Sequence, residues 1–279
     1  WTTAVCALPP LAPTPGDPVS TTSTTRSSER PRYAASLARL LGAQKSAQGA
    51  PAYSRFVNRP LGRRLAAAAH VAGLTPNQVT AASGAATFTG IAVIALAPPA
   101  WWKGVLVAAL LVLGYALDAA DGQLARLRGG GSKAGEWLDH VVDAAKTPCL
   151  HLAVAVGAHL TFGSVPEAWL LVPLAFAAVS STWFFTIILN DHLRRLAGTR
   201  DAQATVGAGE ARTHSRWRSV ASAPVDYGVL CVLVVLLGWP SVFVWAYGLL
   251  ALGFTAVTAA SMVAWYRQAD RLDSPSGTP

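Results

Sequence analysis

Long apolar blocks, separated by short polar connections, run through most of this chain. A block of about 20 apolar residues is long enough to cross the hydrocarbon core of a bilayer as a helix. Turn and interface signals mark the block ends, such as Thr75-Pro76 at a helix start and the Trp101-Trp102 pair. The pattern predicts an all-α integral membrane protein with six transmembrane helices, over about 77–97, 101–124, 135–162, 168–189, 225–237 and 242–265.

A basic amphipathic segment precedes the first span. Between 53 and 71, Phe56, Val57 and Leu61 interleave with arginines such as Arg55 and Arg59. Such a helix lies in the membrane interface, with its arginines toward anionic headgroups. A surface helix of a soluble domain is disfavoured because membrane spans follow at once.

The first 50 residues differ in composition, being rich in Pro, Ser, Thr and Ala. Such a segment buries too little apolar surface to fold alone, although a short helix over 33–41 is compatible with the pattern. The opening residues lack the basic start and unbroken apolar run of a signal peptide. The predicted organisation is a disordered segment (1–50), an interfacial helix (51–72), a six-helix catalytic domain (73–266) and a short cytoplasmic tail (267–279).

Composition agrees with a membrane protein and charge predicts its orientation. The chain is 52% hydrophobic and 13% charged, with a net charge of +8. Of its 22 Lys and Arg residues, only Lys103 falls on the side of the membrane opposite the termini. By the positive-inside rule, both termini are cytoplasmic and the protein is a multi-pass protein of the cell membrane. The basic character is therefore a topology signal, which excludes nucleic acid as a partner. Three widely separated cysteines indicate neither a disulfide framework nor a metal knuckle.

Four aspartates lie at the cytoplasmic ends of the second and third spans. Asp118 and Asp121 share one helix face, and Asp139 and Asp143 share a face of the next helix. The glycines at 129–131 let the chain reverse, so the two pairs can converge. Clustered carboxylates need a compensating cation, and carboxylate oxygen is the ligand that magnesium, manganese and calcium prefer. The acids are therefore predicted to hold divalent metal on the cytoplasmic side.

Neighbouring residues favour phosphate chemistry at that metal. Arg126 and Lys133 are cations beside the acids, and the small Gly122 and Ala125 allow a flat ligand to approach the helix. Metals and cations together neutralise charge in phosphoryl transfer. A divalent-cation transporter could use the same acids, but it has no need of Arg126 or of the small-residue face. Caps or salt bridges alone give no reason for four acids in this setting.

The stretch resembles the signature of the CDP-alcohol phosphotransferase family, Asp-x2-Asp-Gly-x2-Ala-Arg, a gap, then Gly-x3-Asp-x3-Asp. All eight fixed residues are present with an eight-residue gap, and the resemblance extends over about 53–265. It implies transfer of a substituted phosphate from a CDP-linked donor to an alcohol, with release of CMP. It also implies Mg²⁺ or Mn²⁺, as two ions, and a homodimer. By motif position, the metal residues are Asp118, Asp121, Asp139 and Asp143, with Asp143 also the general base, and the CDP-binding residues are Gly122, Ala125, Arg126 and Gly135.

The interpretation is a phospholipid-synthesis enzyme with CDP-diacylglycerol as donor. The alternative within the family is transfer of a CDP-linked soluble headgroup to a lipid or phosphate-bearing alcohol. Several residues have two open interpretations each. Lys133, Lys146, Arg194, Arg195 and Arg200 are candidates for acceptor or phosphate contacts or for charge balance and topology. Asn77 and Thr80 could contact nucleotide or cap a helix, Asp226 could reach the acceptor or cap, and His140 and His151 are packing residues more than ligands.

Overall fold

The structure, a computed structural model, describes residues 32–42, 51–163, 165–196 and 223–273, with side chains described as far as 270. The predictions for most of 1–50, for Arg200 and for the end of the tail lie outside these residues. All regular elements in the described ranges are helices, which confirms the all-α class. The α-helices are α1 (Tyr33–Gly42), α2 (Arg59–Val71), α3 (Pro76–Leu96), α4 (Trp101–Leu127), α5 (Lys133–Thr161), α6 (Leu171–Leu196), α7 (Tyr227–Leu233) and α8 (Pro240–Asp273). A π helix at Ser54–Asn58 and 3₁₀ helices at Glu167–Leu170, Ala223–Val225 and Val234–Gly238 lie between them.

Five stretches of the described chain are long and apolar enough to cross a membrane: Pro76–Leu96, Trp101–Leu127, Lys133–Thr161, Glu167–Leu196 and Pro240–Asp270. The fifth predicted span, at about 225–237, corresponds to the shorter apolar stretch Tyr227–Gly238. Its second part, Val234–Gly238, is a 3₁₀ helix, which rises about 2.0 Å per residue instead of about 1.5 Å. Length and composition alone therefore support five spans directly.

Local signals account for the helix ends around the aspartates. Thr75 caps α3, as the helix-start signal predicts, and Gln78 completes a reciprocal capping box with it. Gly129 and Gly130 have φ values of +98° and +137°, which let the chain leave α4 and reverse. The Ser132 hydroxyl then accepts a hydrogen bond from the Gly135 N–H at the start of α5.

Two apolar clusters hold the helices in place. The larger one contains buried residues from every α-helix from α3 to α8, among them Leu111, Leu150 and Phe243. The smaller one packs α1 and α2 against α4, through residues such as Leu40 and Leu124. Because it is close to the aspartates, the smaller cluster attaches α2 to the functional end of α4.

Candidate active site

The sequence predicts that both aspartate pairs converge, and the structure brings three of the four aspartates together. Asp118, Asp139 and Asp143 each offer one carboxylate oxygen, and these oxygens lie within 4.8 Å of one another. All three residues are half-buried. Oxygens this close repel one another unless a cation lies among them, and carboxylate oxygens are the ligands that hard divalent ions take. The donor set therefore fits a magnesium or manganese ion.

Asp121 lies outside that group of three and is 7% exposed. The Thr80 hydroxyl lies 2.5 Å from Asp121 Oδ2 and 3.1 Å from the Pro76 carbonyl. Its single proton goes to the carboxylate, because hydrogen bonds to ionised acceptors are shorter and stronger. Asp121 still interacts electrostatically with Asp118 and Asp139. Thr80, one of the residues with two open interpretations, is thus a partner of an aspartate.

Lys146 lies between the two helices that carry the cluster. Its Nζ is 2.8 Å from Asp118 Oδ1 and 2.5 Å from Asp143 Oδ1. The position one turn after Asp143 predicts this shared face, and the charge-balancing interpretation describes these contacts. One ammonium offsets only one of the three converging carboxylates, so the need for a further cation remains.

The small-residue positions provide close approach beside the cluster. A Cβ added at Gly122 would lie 3.6 Å from Arg126 Nη1, so the guanidinium folds back along α4. The buried Arg126 Nε has no hydrogen-bond partner among the described residues. A Cβ at Gly135 would lie 2.9 Å from Asn77 Oδ1, which brings α5 against the start of α3. Ala125 is buried and Lys133 is exposed. Binding of CDP by these positions stays a prediction.

The two arginines at the end of α6 contact residues outside the cluster. Arg195 Nη2 lies 2.6 Å from Asp191 Oδ2, and its Nη1 lies 3.2 Å from Glu136 Oε1. Arg194 donates a hydrogen bond to the side chain of Gln268. These contacts join the end of α6 to the start of α5 and to α8, and binding of acceptor or phosphate by the two arginines stays a prediction.

A cavity of about 210 Å³ opens beside the cluster. Its polar wall contains Asp118, Asp143, Lys146 and Asp226, and most of its remaining wall is apolar. The aromatic side chains of the wall are Tyr115, Phe176, Trp183, Phe184, Tyr227 and Phe254. Sequence reasoning missed these aromatic residues, because nothing local distinguishes them from lipid-facing ones on the same helices.

Two polar residues of the cavity wall have structural partners. Asp226 Oδ1 accepts a hydrogen bond from the Gly228 N–H at 3.1 Å and caps α7, while its Oδ2 accepts from the Tyr53 N–H at 2.9 Å. His151 Nδ1 lies 2.7 Å from the Tyr247 hydroxyl. The packing interpretation of His151 and the capping interpretation of Asp226 both describe these contacts.

The sequence comparison indicates a transferase. Residues 73–207 match the model of the family described as CDP-alcohol phosphatidyltransferase, which confirms the resemblance carried by the signature. Among solved structures, the chain is similar to Mycobacterium tuberculosis phosphatidylinositol phosphate synthase (PgsA1), determined in complex with manganese and citrate. The two chains share 18% identity with a TM-score of 0.41, covering 79% of this chain and 91% of that one. No curated protein matches the chain.

Proposed function

We propose that this protein transfers a phosphatidyl group from CDP-diacylglycerol to the hydroxyl of a polar alcohol and releases CMP. One observation supports this most: three carboxylate oxygens within 4.8 Å of one another, beside a cavity that Asp118 and Asp143 line. That arrangement supplies a cation site and space for an acceptor at the same point, which phosphoryl transfer requires.

The carboxylates have unequal roles in this proposal. Asp118, Asp139 and Asp143 hold the divalent metal, and Asp121 contributes to a second ion from its position beside Thr80. Bound Mg²⁺ or Mn²⁺ supplies charge stabilisation for the pyrophosphate oxygens. Asp143 accepts the proton of the attacking hydroxyl, because it lines the cavity whereas Asp139 does not. The CDP moiety is bound by Gly122, Ala125, Arg126 and Gly135.

The proposed membrane arrangement has six spans, with Tyr227–Gly238 as a short fifth span. Helix α2 lies in the cytoplasmic interface, and both termini and the aspartates face the cytoplasm, as the distribution of Lys and Arg supports. The proposal keeps the predicted boundaries at residues 50, 72 and 266, which separate the N-terminal segment, the interfacial helix, the catalytic domain and the tail. It also keeps the predicted homodimer.

A cation transporter is disfavoured by Lys146. Its ammonium lies within 2.8 Å of both Asp118 and Asp143, where a translocated cation would have to pass. A fixed positive charge at that point repels the transported ion, whereas it is compatible with an anionic nucleotide.

The test offers purified protein CDP-diacylglycerol, magnesium and a panel of alcohols, and measures CMP release. The substitution Asp143→Asn is expected to lower the rate about 100-fold or more, the usual contribution of a general base. Asp191→Asn, which removes an acid paired with Arg195 outside the cluster, serves as the matched control. Full CMP release by the Asp143→Asn protein would show that another group accepts the proton. Activity only with a CDP-linked soluble headgroup and a lipid alcohol would establish the reverse arrangement.

A further inference from the structure

Helix α2 packs directly on the part of α4 that precedes Arg126. Gly62 allows this contact, since a Cβ there would lie 2.9 Å from Ala119 Cβ. The Gln123 side chain donates a hydrogen bond to the main-chain carbonyl of Arg59 at 3.3 Å. The start of α2 is thereby held beside α4, one turn before Arg126.

This packing brings two guanidinium groups together. Arg126 interacts electrostatically with Arg59, which repels it, and with Asp121, which attracts it. Both are only half-buried, yet the buried Nε of Arg126 has no hydrogen-bond partner among the described residues. A buried donor without a hydrogen-bond partner beside a second guanidinium favours a bound anion, and phosphate suits guanidinium geometry.

We propose that Arg59 of α2 and Arg126 of α4 together form a phosphate-binding site for the CDP-linked donor. This inference rests on the proposed function and extends it, because Arg59 lies outside the signature. It gives α2 a role in substrate binding besides its association with the membrane. The nucleotide is favoured over a lipid headgroup as the source of the phosphate, because Arg126 folds over Gly122 directly after the acidic residues.

The experiment measures binding of CMP and of cytidine to purified protein in detergent, by calorimetry and by thermal stabilisation. Arg59→Gln is expected to weaken CMP binding about tenfold or more, the usual effect of losing a hydrogen bond to a charged group. Cytidine, which lacks the phosphate, is expected to bind equally well to both proteins. The contact with Gln123 survives the substitution because it involves the main chain of Arg59.

Arg64→Gln is the matched control, because Arg64 lies on the same helix and is exposed. It removes the same charge and is expected to leave CMP binding unchanged. Arg59→Lys keeps the charge but loses the planar fork, so an intermediate CMP affinity is expected.

Unchanged CMP affinity in the Arg59→Gln protein would overturn the proposal and leave the proposed function intact. Equal losses for CMP and cytidine would also overturn it, because they indicate a structural role for Arg59. An equal loss of CMP affinity in the Arg64→Gln protein would show that the effect comes from general surface charge, which would also contradict the proposal. If the Arg59→Gln protein binds anionic lipid vesicles more weakly but binds CMP with unchanged affinity, the site is one for lipid headgroups. Failure of the unsubstituted protein to bind CMP would instead contradict the proposed function itself.

Discussion

Substituting Thr80 by valine removes the hydroxyl that donates to Asp121 and keeps the shape of the side chain. Asp121 is 7% exposed, and the Thr80 hydroxyl lies 2.5 Å from its Oδ2. Without that donor, a buried carboxylate oxygen loses its charge-assisted hydrogen bond. Such a loss costs about 1.5–3 kcal/mol.

At about 1.4 kcal/mol per factor of ten, this cost corresponds to roughly a 10- to 100-fold change. If Asp121 contributes to the metal site, the concentration of Mg²⁺ that gives half-maximal CMP release rises by about that factor. The assay is a Mg²⁺ titration of CMP release, accompanied by thermal unfolding without metal. Thr80→Ser retains the hydroxyl and is expected to stay near the unsubstituted protein.

The matched control is Thr89→Val. Thr89 is on the same helix and exposed, and its hydroxyl donates to the Ala85 carbonyl at 2.7 Å. It loses the same chemical group away from the aspartates, so the Mg²⁺ requirement should not change. A Thr80→Val protein with an unaltered Mg²⁺ requirement and unaltered rate would refute the inference that Thr80 positions Asp121.

Two further predictions concern the packing that surrounds the site. Gly228→Ala is expected to destabilise the protein by about 1–3 kcal/mol, because the added Cβ would collide with the Tyr53 ring. Gly248→Ala is the control and is not expected to destabilise the protein, because the space around Gly248 is open. Thermal unfolding of both proteins measures the difference, and equal midpoints would show that Tyr53 moves without cost. For His70, burial followed by the charges of Arg128 and Arg39 lowers the pKa, so the folded state favours the neutral ring that contacts the Ser36 hydroxyl at 2.9 Å. The attachment of α1 is therefore expected to be complete above the unfolded pKa of about 6.5 and to weaken as the pH falls below it. Limited proteolysis of α1 at about pH 7.5 and about pH 5.5 measures this, and His70→Gln should abolish the pH dependence; stronger protection at the lower pH would contradict it.

Features set by neighbouring residues were predictable from the sequence. The capping box at Thr75, the chain reversal at Gly129 and Gly130, and the shared face of Asp143 and Lys146 all depend on fewer than about five positions of chain. The convergence of the acids followed from one further step, since two helices joined by a short connection are antiparallel neighbours. The all-α class was predictable as well, because apolar blocks of about 20 residues are long enough to cross a bilayer as helices.

Contacts between distant parts of the chain were not predictable in this way. The Tyr53 N–H donates to Asp226, 173 positions away, and that contact depends on how the segment before α2 packs against the start of α7. The same holds for the pairing of Arg195 with Glu136, 59 positions apart. A sequence pattern shows that such residues are polar, but the partner is decided by the helix that happens to lie opposite.

The separation of Asp121 from the other acids follows from helix geometry. Successive residues of a helix are about 100° apart, so positions three apart differ by about 60° and positions four apart by about 40° in the opposite sense. Asp139 and Asp143 therefore both face α4, whereas Asp118 and Asp121 diverge enough for Asp118 to face α5 and for Asp121 to reach Thr80 on α3. A spacing of three in the first pair and four in the second thus allows one helix to serve two neighbours. Two adjacent cation positions are compatible with this divergence, because Asp118 can belong to both while Asp121 belongs to only one.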